Sequence, residues 1–161
     1  MAVNPTLLAT EITTGLGQLL PTVQVTGFAT GVLNELTQKG VASTGLPTGN
    51  TISGMSGSDM ADKVATDAGY GSTSAVLVKF CTGIVNHIQE AGIVSYTGPV
   101  PPAAPIYYLG GTISGLSGPA MAALVQSNVG YPSVSVELLG MCNAICTHIV
   151  TNAQVTSGVI S

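Results

Sequence analysis

Thr51-Ile52-Ser53-Gly54-Met55-Ser56-Gly57 returns, sixty-one residues later, as Thr112-Ile113-Ser114-Gly115-Leu116-Ser117-Gly118. The same offset carries Met60-Ala61 onto Met121-Ala122, Gly69-Tyr70 onto Gly130-Tyr131, Cys81 onto Cys142 and His87-Ile88 onto His148-Ile149. Nineteen of the 47 positions from 51 to 97 are identical without a gap, so the two segments are copies of one unit. A third, shortened copy lies upstream at an offset of fifty-two. Phe28-Ala29-Thr30-Gly31-Val32-Leu33-Asn34 answers Phe80-Cys81-Thr82-Gly83-Ile84-Val85-Asn86, and Gly40-Val41-Ala42-Ser43 answers Gly92-Ile93-Val94-Ser95. It has no Thr-Ile-Ser-Gly entry and begins near Asn4-Pro5-Thr6, as terminal repeats often do when they cap a stack.

Each full copy reads as a helical hairpin. Ser58-Asp59 offers a helix start, and Met60, Val64 and Ala68 recur every four residues along one face. Gly69-Tyr70-Gly71 supplies residues suited to a left-handed end, and Ser72-Thr73-Ser74 opens a second helix. That helix carries Leu77, Phe80 or Cys81, Ile84 and Ile88 on one stripe and stops at Gly92. In the third copy the stripe is Leu138, Met141 or Cys142, Ile145 and Ile149. In the first it is Phe28, Val32 and Leu36 after Pro21-Thr22.

The expected fold is therefore mainly α, with three tandem helical hairpins (six helices) joined by extended Gly/Pro-rich connectors. The 161 residues suit one domain. Within it lie a degenerate first hairpin over 1–46, a second over 51–97, a connector arm over 98–111 and a third hairpin over 112–161. The β-prone residues fall in the connectors, at Thr51-Ile52-Ser53, Ile93-Val94-Ser95-Tyr96 and Ile106-Tyr107-Tyr108-Leu109. Extended arms and short strand pairings both remain open there. Gly98-Pro99-Val100-Pro101-Pro102-Ala103-Ala104-Pro105 favours a stiff spacer. The uncharged Ile106, Tyr107, Tyr108 and Leu109 that follow are the expected protein-interface residues, because such a segment is poorly explained as a solvated loop.

Charge excludes several functions. Charged residues make up 6% of the chain, against about 25% in typical soluble domains. Three lysines and no arginine cannot form the cationic surface that nucleic acid or an anionic membrane requires. No apolar run is long enough for a transmembrane helix, since Ala75–Val94 carries Lys79, His87, Gln89 and Glu90. The opening Met-Ala-Val-Asn-Pro has no basic n-region, so synthesis without a signal peptide is expected. From Ala91 onward the only charged side chain is Glu137, which points to a half covered by other protein.

The residues that invite chemistry read better as structure. Cys142 and Cys146 share a helical face, but His148 lies about 200° round from Cys146, and two thiolates do not complete a zinc site. Cys81, Cys142 and Cys146 are expected to be buried thiols, with no metal and no cofactor. Cys81 and His87 stand about 240° apart on one helix, poorly placed as a nucleophile and base. His87, His148 and Glu35 occupy one repeat position, where a polar residue is expected to bond a neighbouring loop. No lysine follows the glycines of 51–57 as a phosphate-binding loop requires, so that motif is expected to be a turn into a helix. Tyr70 and Tyr131 are expected to lean back on their own hairpins. No catalytic residue, small-molecule substrate or enzymatic activity is expected.

Small size, duplication and a neutral surface of small residues resemble virion proteins of tailed bacteriophages. The Thr-Ile-Ser-Gly-(Met/Leu)-Ser-Gly turn and the (Asn/Thr)-His-Ile segments at 86–88 and 147–149 are similar to repeats in small phage structural proteins, over residues 28–161. The resemblance implies a capsid decoration or cement subunit, or a minor virion protein, located in the virion. Its implied partners are itself or a major capsid protein. A neck or tail component and a cytoplasmic α-repeat binding module with a concave face are the alternatives.

Overall fold

A computed structural model of the chain describes residues 2–44, 48–97 and 110–161. Six helices run in chain order: α1 (Pro5–Gly15), α2 (Val23–Lys39), α3 (Gly57–Asp67), α4 (Ala75–Ala91), α5 (Gly118–Val129) and α6 (Val136–Asn152). Between and after them lie β1 (Val41–Ala42), β2 (Asn50–Ser53), β3 (Ile93–Thr97), β4 (Gly110–Ser114), β5 (Gln154–Thr156) and β6 (Val159–Ile160).

The hairpins are present, but the mainly-α expectation is corrected. The six connecting strands close into one antiparallel barrel in the order β1-β2-β3-β4-β5-β6, with β6 returning to β1 through Val41 and Val159. Each strand buries at least one apolar residue, Ala42, Ile52, Val94, Ile113, Val155 and Ile160, and β3 buries Tyr96 as well. Their neighbours along each strand are mostly Thr, Ser or Gly. The alternation is therefore too short to announce a strand, and the pairing partners come from different repeats. Barrel closure also leaves no sheet edge.

The architecture is a closed ring of three units, each an entry strand, two helices and an exit strand. The second unit is β2-α3-α4-β3 and the third is β4-α5-α6-β5. The first, α1-α2-β1, is completed by the C-terminal β6, which pairs with β1 and closes the barrel. Around it α2 packs on α3, α4 on α5 and α6 on α1, beside the contacts within each hairpin. Equivalent positions meet in buried triples: Leu8, Met60 and Met121; Ile12, Val64 and Val125; Val32, Ile84 and Ile145; Leu36, Ile88 and Ile149. Fully burying such a side chain stabilises by about 1.5–3 kcal/mol relative to leaving it exposed.

The repeated motif is the turn between strand and helix. Gly54 and Gly115 adopt φ of 90° and 83°, where L-residues are strained. A Cβ on either would also collide with the carbonyl of the preceding unit's second helix, Lys39 or Ala91. The N-cap of α3 is Ser56, two residues before the expected Ser58-Asp59, its side chain accepting from the Asp59 N–H at 3.4 Å. Ser74 and Ser135 cap α4 and α6 in the same way.

Candidate functional site

The repeated polar position does bond neighbouring loops, and it does so cyclically. Glu35 Oε1 accepts the Ser56 N–H at 2.8 Å, His87 Nε2 accepts the Ser117 N–H at 3.0 Å, and His148 Nε2 accepts the Asn4 N–H at 3.1 Å. Ser56, Ser117 and Asn4 are the N-cap residues of α3, α5 and α1. Each unit thus anchors the first helix of the next, and the third anchors the first. All three acceptors are buried.

These bonds fix the imidazole tautomers, because a nitrogen that accepts a backbone N–H carries no proton. His148 therefore bears its proton on Nδ1, which donates to Glu11 Oε2 at 2.8 Å. Burial lowers the pKa of His87, and the nearby Glu90 carboxylate partly opposes this. The seams differ in a second position. Lys63 pairs with the buried Glu35, Glu11 stands at the corresponding place beside His148, and Leu124 stands there in the seam of His87.

The three cysteines are free thiols, buried, and each pushed up to about 12 by that burial. Cys146 Sγ lies 4.0 Å from Met121 Sδ in the core. Among the described residues, no group of three or more His, Cys, Asp or Glu side chains is placed to hold a metal. No helix there is long and apolar enough to cross a membrane.

What the ring does build is an apolar cup on its axis, at the pole away from the barrel. The turns between paired helices, 16–22, 68–74 and 130–135, all lie at that pole, because the other ends of the helices join the strands. Phe28, Phe80 and Met141 share one repeat position and line the cup together. The two rings meet edge to face at 6.0 Å. Ile12, Val25 and Leu77 also face it, and Tyr70 and Tyr131 line it rather than lying against their own hairpins alone. The volume is about 500 Å³, and no lining residue is charged.

The turns and helix starts at that pole expose apolar side chains, with Gln24 and Glu137 at the repeat position of Val76. Leu19 is 98% exposed, and Leu20, Val23, Val76 and Val136 are each more than half exposed. Sequence reading assigned the phenylalanines to a helix stripe and missed this surface. Aligning the copies around a common axis puts Phe28, Phe80 and Met141 at one level, and that is the signal that finds it.

No protein-family model, characterised protein or solved structure matches this chain.

The cup draws on all three units, so it exists only in the closed ring. The expected interface residues Ile106, Tyr107, Tyr108 and Leu109 lie outside the described residues. Of the arm that contains them, Gly110 and Gly111 form the start of β4, paired with Thr97 and Tyr96 of β3. Thr97 and Gly110, which flank residues 98–109, lie at the barrel end farthest from the helices, opposite the cup.

Proposed function

We propose that this chain is a non-enzymatic structural subunit of a bacteriophage particle, a capsid decoration, cement or minor virion protein acting through protein–protein contacts. The observation that carries the reading is the apolar pole: an uncharged cup, with Leu19, Leu20, Val23, Val76 and Val136 exposed on the turns and helix starts of the same end. Contiguous apolar surface of this kind marks association sites rather than free monomer surface. The scarcity of charge supports the same reading, because covering a neutral pole avoids the several-kcal/mol cost of burying an unpaired ion. The virion assignment rests on the resemblance of the repeated turn and the (Asn/Thr)-His-Ile segments to small phage structural proteins.

Light scattering on the purified chain, together with mass spectrometry of purified particles from the phage that encodes it, tests the proposal. Multimers in solution and the chain in particles are expected. A strict monomer at high concentration that is absent from particles overturns it.

A further inference from the structure

We infer that the cup receives Ile106-Tyr107-Tyr108-Leu109 of a second copy of this chain, so that subunits join head to tail along the ring axis. This rests on the assembly reading above and names its partner. The cup is open, apolar, uncharged and partly aromatic, with Phe28, Phe80, Tyr70 and Tyr131 at its walls. At about 500 Å³ it is several times the ~150 Å³ cavity that accepts a benzene ring. The fitting occupant is an uncharged segment with aromatic side chains. Residues 98–109, Gly-Pro-Val-Pro-Pro-Ala-Ala-Pro-Ile-Tyr-Tyr-Leu, are such a segment and carry no charge.

Covalent geometry shows that the occupant comes from another molecule. Tyr107 is three residues from Gly110 and so lies within about 11 Å of it, whatever path the chain takes. Gly110 sits at the far end of the barrel, paired with Thr97. From the level of Phe80 to the end of α4 is about 16 Å at ~1.5 Å per residue. The run from Ile93 to Thr97 adds about 10 Å more once strand tilt is allowed for. Tyr107 cannot span that distance to its own cup. In a second copy stacked on the same axis, the two poles face each other and the distance vanishes. The contact joins unlike surfaces, so it propagates as an open stack or closes as a ring of subunits instead of stopping at a dimer.

Engineered thiols on the full chain test the arrangement. Val76→Cys places one on the cup rim, at a position where the other units carry Gln24 and Glu137, and Tyr107→Cys places one on the arm. The native thiols are buried and held protonated, so mild oxidation reads only the new ones. Mixing the two variants is expected to give a disulfide-linked dimer that neither gives alone, and the double variant is expected to give a ladder. Tyr107→Ser with Tyr108→Ser is expected to raise the dissociation concentration at least tenfold with unchanged helical circular dichroism. Cross-linking of Val76→Cys with itself, or of Tyr107→Cys with itself, overturns the inference, as does a multimer in which the mixture fails to link. In those cases the assembly reading survives. A wild-type chain that stays monomeric overturns both.

Discussion

Gly83→Ala is expected to destabilise the protein, against the direction that helix propensity dictates. Gly83 lies in the interior of α4, where alanine is favoured by about 0.8–1.0 kcal/mol. But α4 crosses α5 at this point, and a Cβ on Gly83 would lie 2.7 Å from Val125 Cα, 2.8 Å from Val125 Cγ2 and 2.9 Å from Val125 N. Two of those atoms are backbone, so no rotamer change relieves the contact, and α5 must move by most of an ångström to restore ordinary packing. That shift would disturb Met121, Ala122 and Val125, which are all fully buried. Overpacking of this kind costs about 1–3 kcal/mol, and a displaced helix backbone belongs at the upper end. Net of propensity, the expected loss is about 2 kcal/mol, or about 4–8 °C in Tm for a domain of this size. Urea and thermal unfolding followed by circular dichroism read it. The third unit carries Ala144 at the same position, against α1, and Ala144→Gly is the control, expected to destabilise by about 1 kcal/mol. A Gly83→Ala variant more stable than wild type would refute the close-crossing argument.

Three further outcomes are expected. Lys63→Leu strands the buried Glu35 carboxylate and should cost about 3 kcal/mol, while adding Glu35→His recreates the His87/Leu124 pairing and should recover most of it, as a double-mutant cycle in urea reads. Because burial lowers the His87 pKa, its contribution to stability is complete above the unfolded value near 6.5 and is lost as pH falls below it. His87→Gln keeps an acceptor for the Ser117 N–H without titrating, and should flatten the stability curve over pH 6.5 to 5. Deleting residues 157–161 removes β6, leaves β1 and β5 as open edges and strips Ile160 from the barrel interior. It should lower stability by more than about 3 kcal/mol and produce aggregates that light scattering detects.

The helices were legible because each carries three or four apolar residues at helical spacing, and because an ungapped repeat forces α3 to match α5 and α4 to match α6. The seam role of Glu35, His87 and His148 was legible from their shared position alone. The barrel was not. A strand such as Val41–Ala42 contributes one inward residue, and no alternation can be read from two positions. Its partners, Ile52 on one side and Val159 on the other, lie about 10 and 118 residues away. The first unit seemed to lack an entry strand because linear order hid the ring. Ile160 of β6 lies buried in the barrel as Ile52 and Ile113 do, so the C-terminal strand completes the first unit. The cup escaped notice for a related reason: its walls come from Phe28, Phe80 and Met141, separated along the chain and brought together only by threefold closure.

Closure also decides where this molecule is able to associate. An open solenoid adds neighbours at its terminal repeats, and an open sheet adds strands at its edges. Here the bond from Asn4 to His148 joins the first unit to the last, and the pairing of Val41 with Val159 seals the sheet, so both routes are shut. Lateral surfaces between helices are already taken by the seams, and the ion pair of Glu35 with Lys63 and the bond of His148 with Glu11 lie inside those seams rather than on the outside. Apolar side chains stay exposed at the cup pole and also on the barrel exterior, where Val41, Ile93 and Val159 face outward. One pole presents the cup, with Leu19, Leu20, Val23, Val76 and Val136 exposed on the turns and helix starts there, and the other carries the strand ends Ala42, Asn50, Thr97, Gly110, Thr156 and Val159. A closed ring with unlike ends is polar, and its association along the axis is directional: cup against barrel end propagates, whereas cup against cup terminates at two. Neither the cup lining nor residues 98–109 contains a charged side chain, so bringing the two together leaves no ion to be neutralised.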